Sequence, residues 1–312
     1  MVEEAAMPAD VVQPAIAATG PVRALEADGW RADRAFKRYR VGTAEVTSLL
    51  DAISAIDDSY FPTATPERAS ALRDAAGLEA GKLWLPINVF VIDFPDKRVM
   101  IDAGNNRNNN PSSGRLREAL AAAGIDPASI DTIVVTHAHI DHITGLLTPE
   151  GEKIYPGAEI IIPRAELEFW SDETKLSGWP HHIERVVQKC LPTLRACADQ
   201  FRPFDGTPEV LPGLTAVPLP GHSPAQTGYM LRSGGDSLLF WADTVHLAAY
   251  QLPEPGWAIV FDYDQSAAVE TRKRTLEDVV NKRQRVAGAH LPGHGIGRVE
   301  RSGSGYLFTP DL

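Results

Sequence analysis

Six consecutive residues constrain this chain most. His137-Ala138-His139-Ile140-Asp141-His142 packs three imidazoles and a carboxylate into one short stretch. It follows Ile133-Val134-Val135, an apolar run that reads as a short buried strand. With 9 histidines in 312 residues, three at these offsets would arise by chance about 0.01 times per chain. So many polar groups at a strand end need partners, and satisfying them without a counter-ion is expensive. Imidazole nitrogens with a carboxylate suit zinc and neighbouring divalent ions; cobalt, manganese and iron are the alternatives. A catalytic zinc keeps one position open, so four ligand-type residues exceed the needs of one open tetrahedral site. Split between two metals, they predict a dinuclear centre with further ligands downstream.

Candidates for those ligands recur at strand ends. His222 follows the run 214–219, Asp243 ends the run 237–241, and His290 follows the short apolar run after the last long helix. His246 lies three residues beyond Asp243, on the metal side if the backbone turns there. His294 reads as a surface-loop residue, and His181 and His182 as the solvated start of a helix. Trp170, Trp179, Trp257 and Phe261 are candidates for an apolar pocket wall.

The motif and these downstream positions resemble the metallo-β-lactamase-fold hydrolase superfamily over residues 40–310. The resemblance implies an α/β fold, an αβ/βα four-layer sandwich with metals at one edge between two mixed sheets. It implies His137, His139 and His222 as ligands of one metal and Asp141, His142 and His290 as ligands of the second. Asp243 would bridge them, and Asp102 matches a strand-end aspartate behind the ligands. DTVHLAAYQ (243–251), the helix 266–285 and VAGAHLPGHGIG (286–297) resemble the methyl-parathion-hydrolase-like branch, whose relatives include lactonases. Two positions depart from the family pattern. Ala225-Gln226 stands where a Gly-His pair is common, and Thr144 where glycine is common.

The resulting expectation is hydrolysis of a lactone or carboxylic ester, of the acyl-homoserine-lactone type, by a hydroxide bridging two divalent metals. Asp141, Asp243 and His246 are the candidate catalytic residues. Phosphotriester or aryl-ester hydrolysis at the same centre is the alternative. A true β-lactamase is disfavoured by Asp243, a flavin-linked role by His139 where those relatives carry Glu. A non-catalytic metal-binding module is disfavoured by the complete ligand set.

The rest of the chain frames this site. Residues 1–35 are Ala/Pro-rich and read as an N-terminal arm with a basic, solvated cluster (Arg31, Arg34, Lys37, Arg38, Arg40). Residues 36–312 form the hydrolase domain. Residues 41–53, 87–94, 98–104, 130–136, 158–163, 214–221, 228–233 and 237–243 read as strands. Residues 181–198 read as a helix broken or kinked at Pro192, and 266–285 as a helix with Val269, Leu276, Val279 and Val280 inward and Arg/Lys outward. Lys+Arg number 30 against 41 Asp+Glu, a net charge of −11, which disfavours a nucleic-acid partner. Two cysteines, Cys190 and Cys197, exclude a disulfide scaffold. An acidic N-terminus and the lack of an ~18-residue apolar run predict a cytoplasmic protein with no membrane partner. The resemblance adds a homodimer.

Overall fold

The computed structural model describes residues 30–311 apart from 80, 110 and 111. Residues 1–29, most of the expected arm, lie outside the described residues. Fourteen strands form two seven-stranded sheets, each in strict chain order. The first holds β1 (Phe36–Val41), β2 (Ala44–Ile56), β3 (Leu83–Asp93), β4 (Arg98–Ile101), β5 (Thr132–Val134), β6 (Glu159–Pro163) and β7 (Phe201–Phe204). The second holds β8 (Glu209–Leu211), β9 (Leu214–Pro218), β10 (Thr227–Ser233), β11 (Asp236–Phe240), β12 (Arg285–Ala287), β13 (Ile296–Ser302) and β14 (Gly305–Pro310). Both sheets are mixed. Pairs β4–β5, β5–β6, β6–β7 and β11–β12 are parallel, the rest antiparallel.

Helices cover both outer faces. They are α1 (Pro66–Ala75), α2 (Leu116–Ala122), α3 (Ile140–Ile143), α4 (Arg164–Ser171), α5 (His181–Ala196), α6 (Ala248–Gln251) and α7 (Gln265–Asn281). Alternation along each strand sends one set of side chains inward and the other to the helices. Phe90, Ile92, Val134 and Ile161 face Tyr229, Leu231, Phe240 and Ala287 between the sheets. Val89, Val91, Ile133 and Ile160 turn the other way onto Leu120, Trp170, Val187 and Leu194. Leu239, Val286 and Phe308 of the second sheet meet Leu276 and Val279. The result is a four-layer αβ/βα sandwich, the architecture expected from the sequence.

Three local expectations are corrected. The strand read over 41–53 is interrupted at residue 42, where β1 turns into β2. Gly42 has φ +57°, and a Cβ there would lie 1.8 Å from the Ser233 carbonyl oxygen, so only glycine fits. The helix read over 181–198 runs through Pro192 to Ala196. The carbonyl that Pro192 deprives of a donor belongs to Gln188, on the exposed side, where water can replace the lost bond. The last long helix stops at Asn281, not 285, with Arg283 in the left-handed region at φ +50° before β12 begins. Its inward face includes Arg272, which is 1 % exposed, so not all of its cations point outward.

Candidate metal centre

The loops that leave the C-terminal ends of β5, β9, β11 and β12 converge at one edge of the sandwich. They carry residues 137–142, His222, Asp243 with His246, and His290. Backbone strain and close packing fix where these side chains start. Gly221 has φ +127°, and a Cβ there would lie 2.2 Å from the Ala268 amide nitrogen. The loop bearing His222 therefore lies directly on the start of α7. Ala242 sits at φ +51°, a strained position for a residue with a Cβ, and it aims the following Asp243 into the centre. Asp102 is also left-handed, at φ +61°. Its carboxylate accepts from the Thr136 amide (2.8 Å) and hydroxyl (2.9 Å) and pairs with His142 Nδ1 at 2.8 Å.

Asp243 is the hub. Its Oδ2 lies 3.0 Å from His290 Nε2, 3.4 Å from His222 Nε2, 3.4 Å from His246 Nε2 and 3.8 Å from His137 Nε2. Its Oδ1 lies 3.3 Å from His142 Nε2. His290 Nε2 and His142 Nε2 also approach Asp141, at 3.6 and 3.8 Å. Ligand atoms within 4.8 Å of one another group as His137–His139–His222, His137–His142–Asp243, Asp141–His142–His290 and His222–Asp243–His246. The buried Nε2 atoms of His137, His142, His222 and His246, and Asp243 Oδ1, have no hydrogen-bond partner. Orphaned buried polar atoms in such number, all on ligand-type side chains, fit divalent metal ions.

Comparison with known proteins accords with this geometry. The sequence profile of the metallo-beta-lactamase superfamily matches residues 83–274, more than half the chain. The chain belongs to the metallo-β-lactamase superfamily. It is accordingly a metal-dependent hydrolase. An N-acyl homoserine lactonase of Bacillus thuringiensis is 24% identical over 229 residues, covering 66% of this chain and 82% of that protein. One from Bacillus sp is 25% identical over 181 residues, covering 56% of this chain and 62% of that protein, so the match spans about three-fifths of that relative's length. Among solved structures, AidC is described as a dizinc quorum-quenching lactonase in complex with a product. It superposes with TM-score 0.83 at 23% identity, covering 89% of this chain and 97% of its own. The hydrolase AbOPH superposes with TM-score 0.84 at 25% identity, covering 89% and 98%.

Around this superfamily centre, the protein holds the far nitrogens of His137, His222 and His290, as Asp102 holds that of His142. His222 Nδ1 meets Asp262 Oδ1 at 2.9 Å, His290 Nδ1 the Pro86 carbonyl at 2.8 Å, and His137 Nδ1 the Thr136 hydroxyl at 3.0 Å. Such outer partners fix ring orientation and raise ligand basicity. Burial, reinforced by the neighbouring imidazoles, holds His137 and His139 well below the ordinary histidine range. They therefore stay neutral, the form that ligates. For His142, burial opposes the charge, but Asp243, Asp102 and Asp141 outweigh it and raise its pKa. Asp243 is likewise desolvated, yet His142 and His290 hold it well below the carboxylate range.

All seven sequence-derived ligand candidates meet here. His246 joins them, its ring stacked on His290 (centroids 5.2 Å apart, planes 17°). His294 does not line the cavity above the centre, and it is half-buried with its Nδ1 enclosed rather than a free surface residue. Other expectations need correction. His181 and His182 are not simply solvated: both line the cavity above the centre. Of the four aromatic wall candidates, Trp170 and Phe261 line it. Trp257 instead packs against Tyr250 in the core, and Trp179 against Phe169. The two departures from the family pattern have structural uses. Gln226 Oε1 accepts from the Asp243 amide at 3.3 Å. The Thr144 hydroxyl donates to the Ile140 carbonyl at 2.6 Å and accepts from the Asn106 amide at 2.9 Å, tying the Asn-rich loop to α3.

Sequence reasoning missed three buried charged groups. Glu166 binds two ligand loops together: it accepts from the Ala138 amide (3.1 Å), the Ala225 amide (2.6 Å), the Ser223 hydroxyl (2.7 Å) and Trp170 Nε1 (2.8 Å). Trp170 in turn sets an edge against His139, 4.9 Å between centroids. Asp262 orients His222 and pairs with Arg272 at 3.8 Å. Arg272 also donates to the carbonyls of Thr244, Pro255 and Trp257. Glu166 and Trp170, four apart on α4, were an available signal. Asp262 and Arg272 carried none.

The cavity above the centre measures about 640 Å³. Ile56, Tyr60, Leu85, Ile87, Val260 and Phe261 give it an apolar wall. Asp141, with its side chain 25% exposed, is the ligand candidate most open to it.

Proposed function

We propose that this enzyme is a dinuclear lactonase acting on acyl-homoserine-lactone-type substrates. His137, His139 and His222 would hold one divalent ion and Asp141, His142 and His290 the other, with Asp243 shared. The carrying observation is the ring of inward-facing imidazole nitrogens around Asp243, beside a cavity with an apolar wall. The names of the relatives, N-acyl homoserine lactonases among them, support the substrate class. Zinc is the favoured ion.

Metal bound there would supply an activated water at neutral pH and Lewis-acid polarisation of the carbonyl. The chain's own groups do the rest. The apolar wall receives the acyl chain and excludes water from it. Asp102, Asp262, Pro86 and Thr136 keep the imidazoles aimed, so little reorganisation accompanies the reaction. The balance is that of simple hydrolysis: water oxygen bonds to the carbonyl carbon, the ring C–O bond breaks, and a proton passes to the leaving alkoxide. Asp243 and His246 are the groups beside the reacting atoms able to carry that proton. No redox change occurs.

A second reading, aryl-ester or phosphotriester hydrolysis, is favoured by Tyr60 and Phe261, an edge-to-face pair on the cavity wall (5.2 Å, 63°) that suits an aryl leaving group. The deciding experiment compares kcat/KM of the metal-loaded enzyme on an acyl-homoserine lactone, an aryl acetate and an aryl phosphotriester, with metal content measured on the same sample. The lactone should lead by at least about tenfold and the protein should carry about two ions per chain. A leading phosphotriester would overturn the lactonase reading. Full lactone turnover by metal-free His137→Ala protein would overturn the metal mechanism.

A further inference from the structure

One wall of the cavity is not explained by a neutral lactone. Helix α5 presents His181, His182, Arg185, Val186 and Lys189 to it. Their spacing is that of a single helical face, and from His181 to Lys189 it runs about 12 Å. Helix α5 packs on α3, which carries Asp141 and His142. The cationic face therefore stands beside the metal centre.

The cations on this face are unpaired. Arg185 and Lys189 are exposed and have no acidic partner among the described residues. Other cations such as Lys97, Arg232 and Lys273 also lack an acidic partner, but Arg185 and Lys189 are the Lys and Arg residues that line this cavity. Arg195, on the same helix, pairs with Glu173, and nearby Lys175 with Asp172. Glu184, one residue before Arg185, is taken up by the Trp179 amide at 3.1 Å and does not line the cavity. The acids that do line it are Asp141 and Asp243, both committed to the centre. Divalent ions bound there would make the cavity more positive still. A neutral substrate can accept only weaker hydrogen bonds from two free cations and gains no steering. An anion gains steering and contact from both.

We infer that this wall selects esters and lactones whose chain ends in a carboxylate, received by Arg185 and Lys189. The apolar wall would take the methylenes and the cationic face the charged end. A planar guanidinium suits a carboxylate, and the lysine adds a mobile point charge. The inference rests on the hydrolase reading above and narrows its substrate.

The test pairs each mono-4-nitrophenyl ester of adipate and suberate with the 4-nitrophenyl ester of hexanoate or octanoate. The metal-loaded wild type should show kcat/KM for the charged member higher by about fivefold to tenfold, the size two partly screened charge contacts give. Raising salt from low to ~0.5 M should shrink the ratio. In Arg185→Gln/Lys189→Gln protein the ratio should fall to about one. Arg164→Gln, which removes a cation paired with Asp205 away from the cavity, should leave the ratio unchanged. A wild-type ratio of one or below overturns the inference. So does a ratio the double variant does not move, because the carboxylate would then be binding elsewhere.

Should no ester and no lactone be turned over, the hydrolase reading fails on its own, and equilibrium binding decides the wall. Calorimetry with the non-hydrolysed monoethylamide of adipate should then give affinity at least about threefold weaker in the double variant than in wild type. Equal affinity overturns the inference.

Discussion

Replacing Glu166 with alanine isolates a buried acid that the reaction does not use. In the folded protein its carboxylate is fully buried and accepts four hydrogen bonds. Removing it strands the Ala138 and Ala225 amides, whereas the Ser223 hydroxyl and Trp170 Nε1 can still bond each other at 3.0 Å. Each stranded buried donor costs about 1–3 kcal/mol, and the void left by the side chain adds about 1 kcal/mol. A loss of about 3–7 kcal/mol follows, a large fraction of the ~5–15 kcal/mol that holds a domain folded. Because the stranded amides belong to the loops of His137–His139 and His222, metal affinity should fall along with stability. Glu166→Gln keeps the volume and one acceptor oxygen, so it should lose about half as much. The assay is denaturant unfolding at fixed metal, with metal affinity measured by chelator competition. A Glu166→Ala protein as stable as wild type, binding metal as tightly, would refute the role given to this acid.

Two further outcomes are expected. Asp262→Ala frees His222 Nδ1, so metal affinity should drop about 10- to 100-fold by chelator titration, with kcat largely recovered at saturating metal; unchanged affinity would mean that His222 is aimed by its backbone alone. Burial pushes the Asp51 carboxyl up to about 6, against the pull of amide donors from Asn105, Leu116 and Gly114. The folded state thus binds this proton more tightly than the unfolded chain, whose aspartate titrates near ~3.9. Its stabilising contribution is complete below about pH 4 and is lost as pH rises through about 6. Wild-type stability relative to Asp51→Asn should therefore fall by about 2 kcal/mol between pH 4 and pH 7, measured by parallel urea unfolding; a difference that stays flat with pH would contradict it.

How much of this was legible in the sequence depended on the kind of interaction. Ligand-type residues at strand ends announced themselves, since chemistry forces His and Asp into places where apolar strands stop. Strands such as Glu159–Pro163 were equally plain, because burial on both faces leaves an unbroken apolar run. The break at Gly42 was hidden, since it answers to a distant carbonyl of Ser233. Pro192 misled for a related reason: its cost depends on which side of the helix the freed carbonyl faces. Arg272 read as an outward cation because nothing local reveals three carbonyls and an aspartate waiting beneath α7. Asp262 was silent likewise, and Glu166 offered only its spacing from Trp170 on α4. They serve residues dozens of positions away, and a single sequence records no such pairing.

The strict chain order of the two sheets has a consequence for how the molecule comes together. The first seven strands are complete before the eighth is made, and the exposed connection at residues 205–208 is the whole covalent link between the halves. His137, His139, Asp141 and His142 belong to the earlier half, and His222, Asp243, His246 and His290 to the later one. An ion gripped from both sides would work as a clasp across this seam. The reactive centre would then be assembled last, when the two leaves of the molecule shut, and a chain nicked at that connection would still be fastened by its metal.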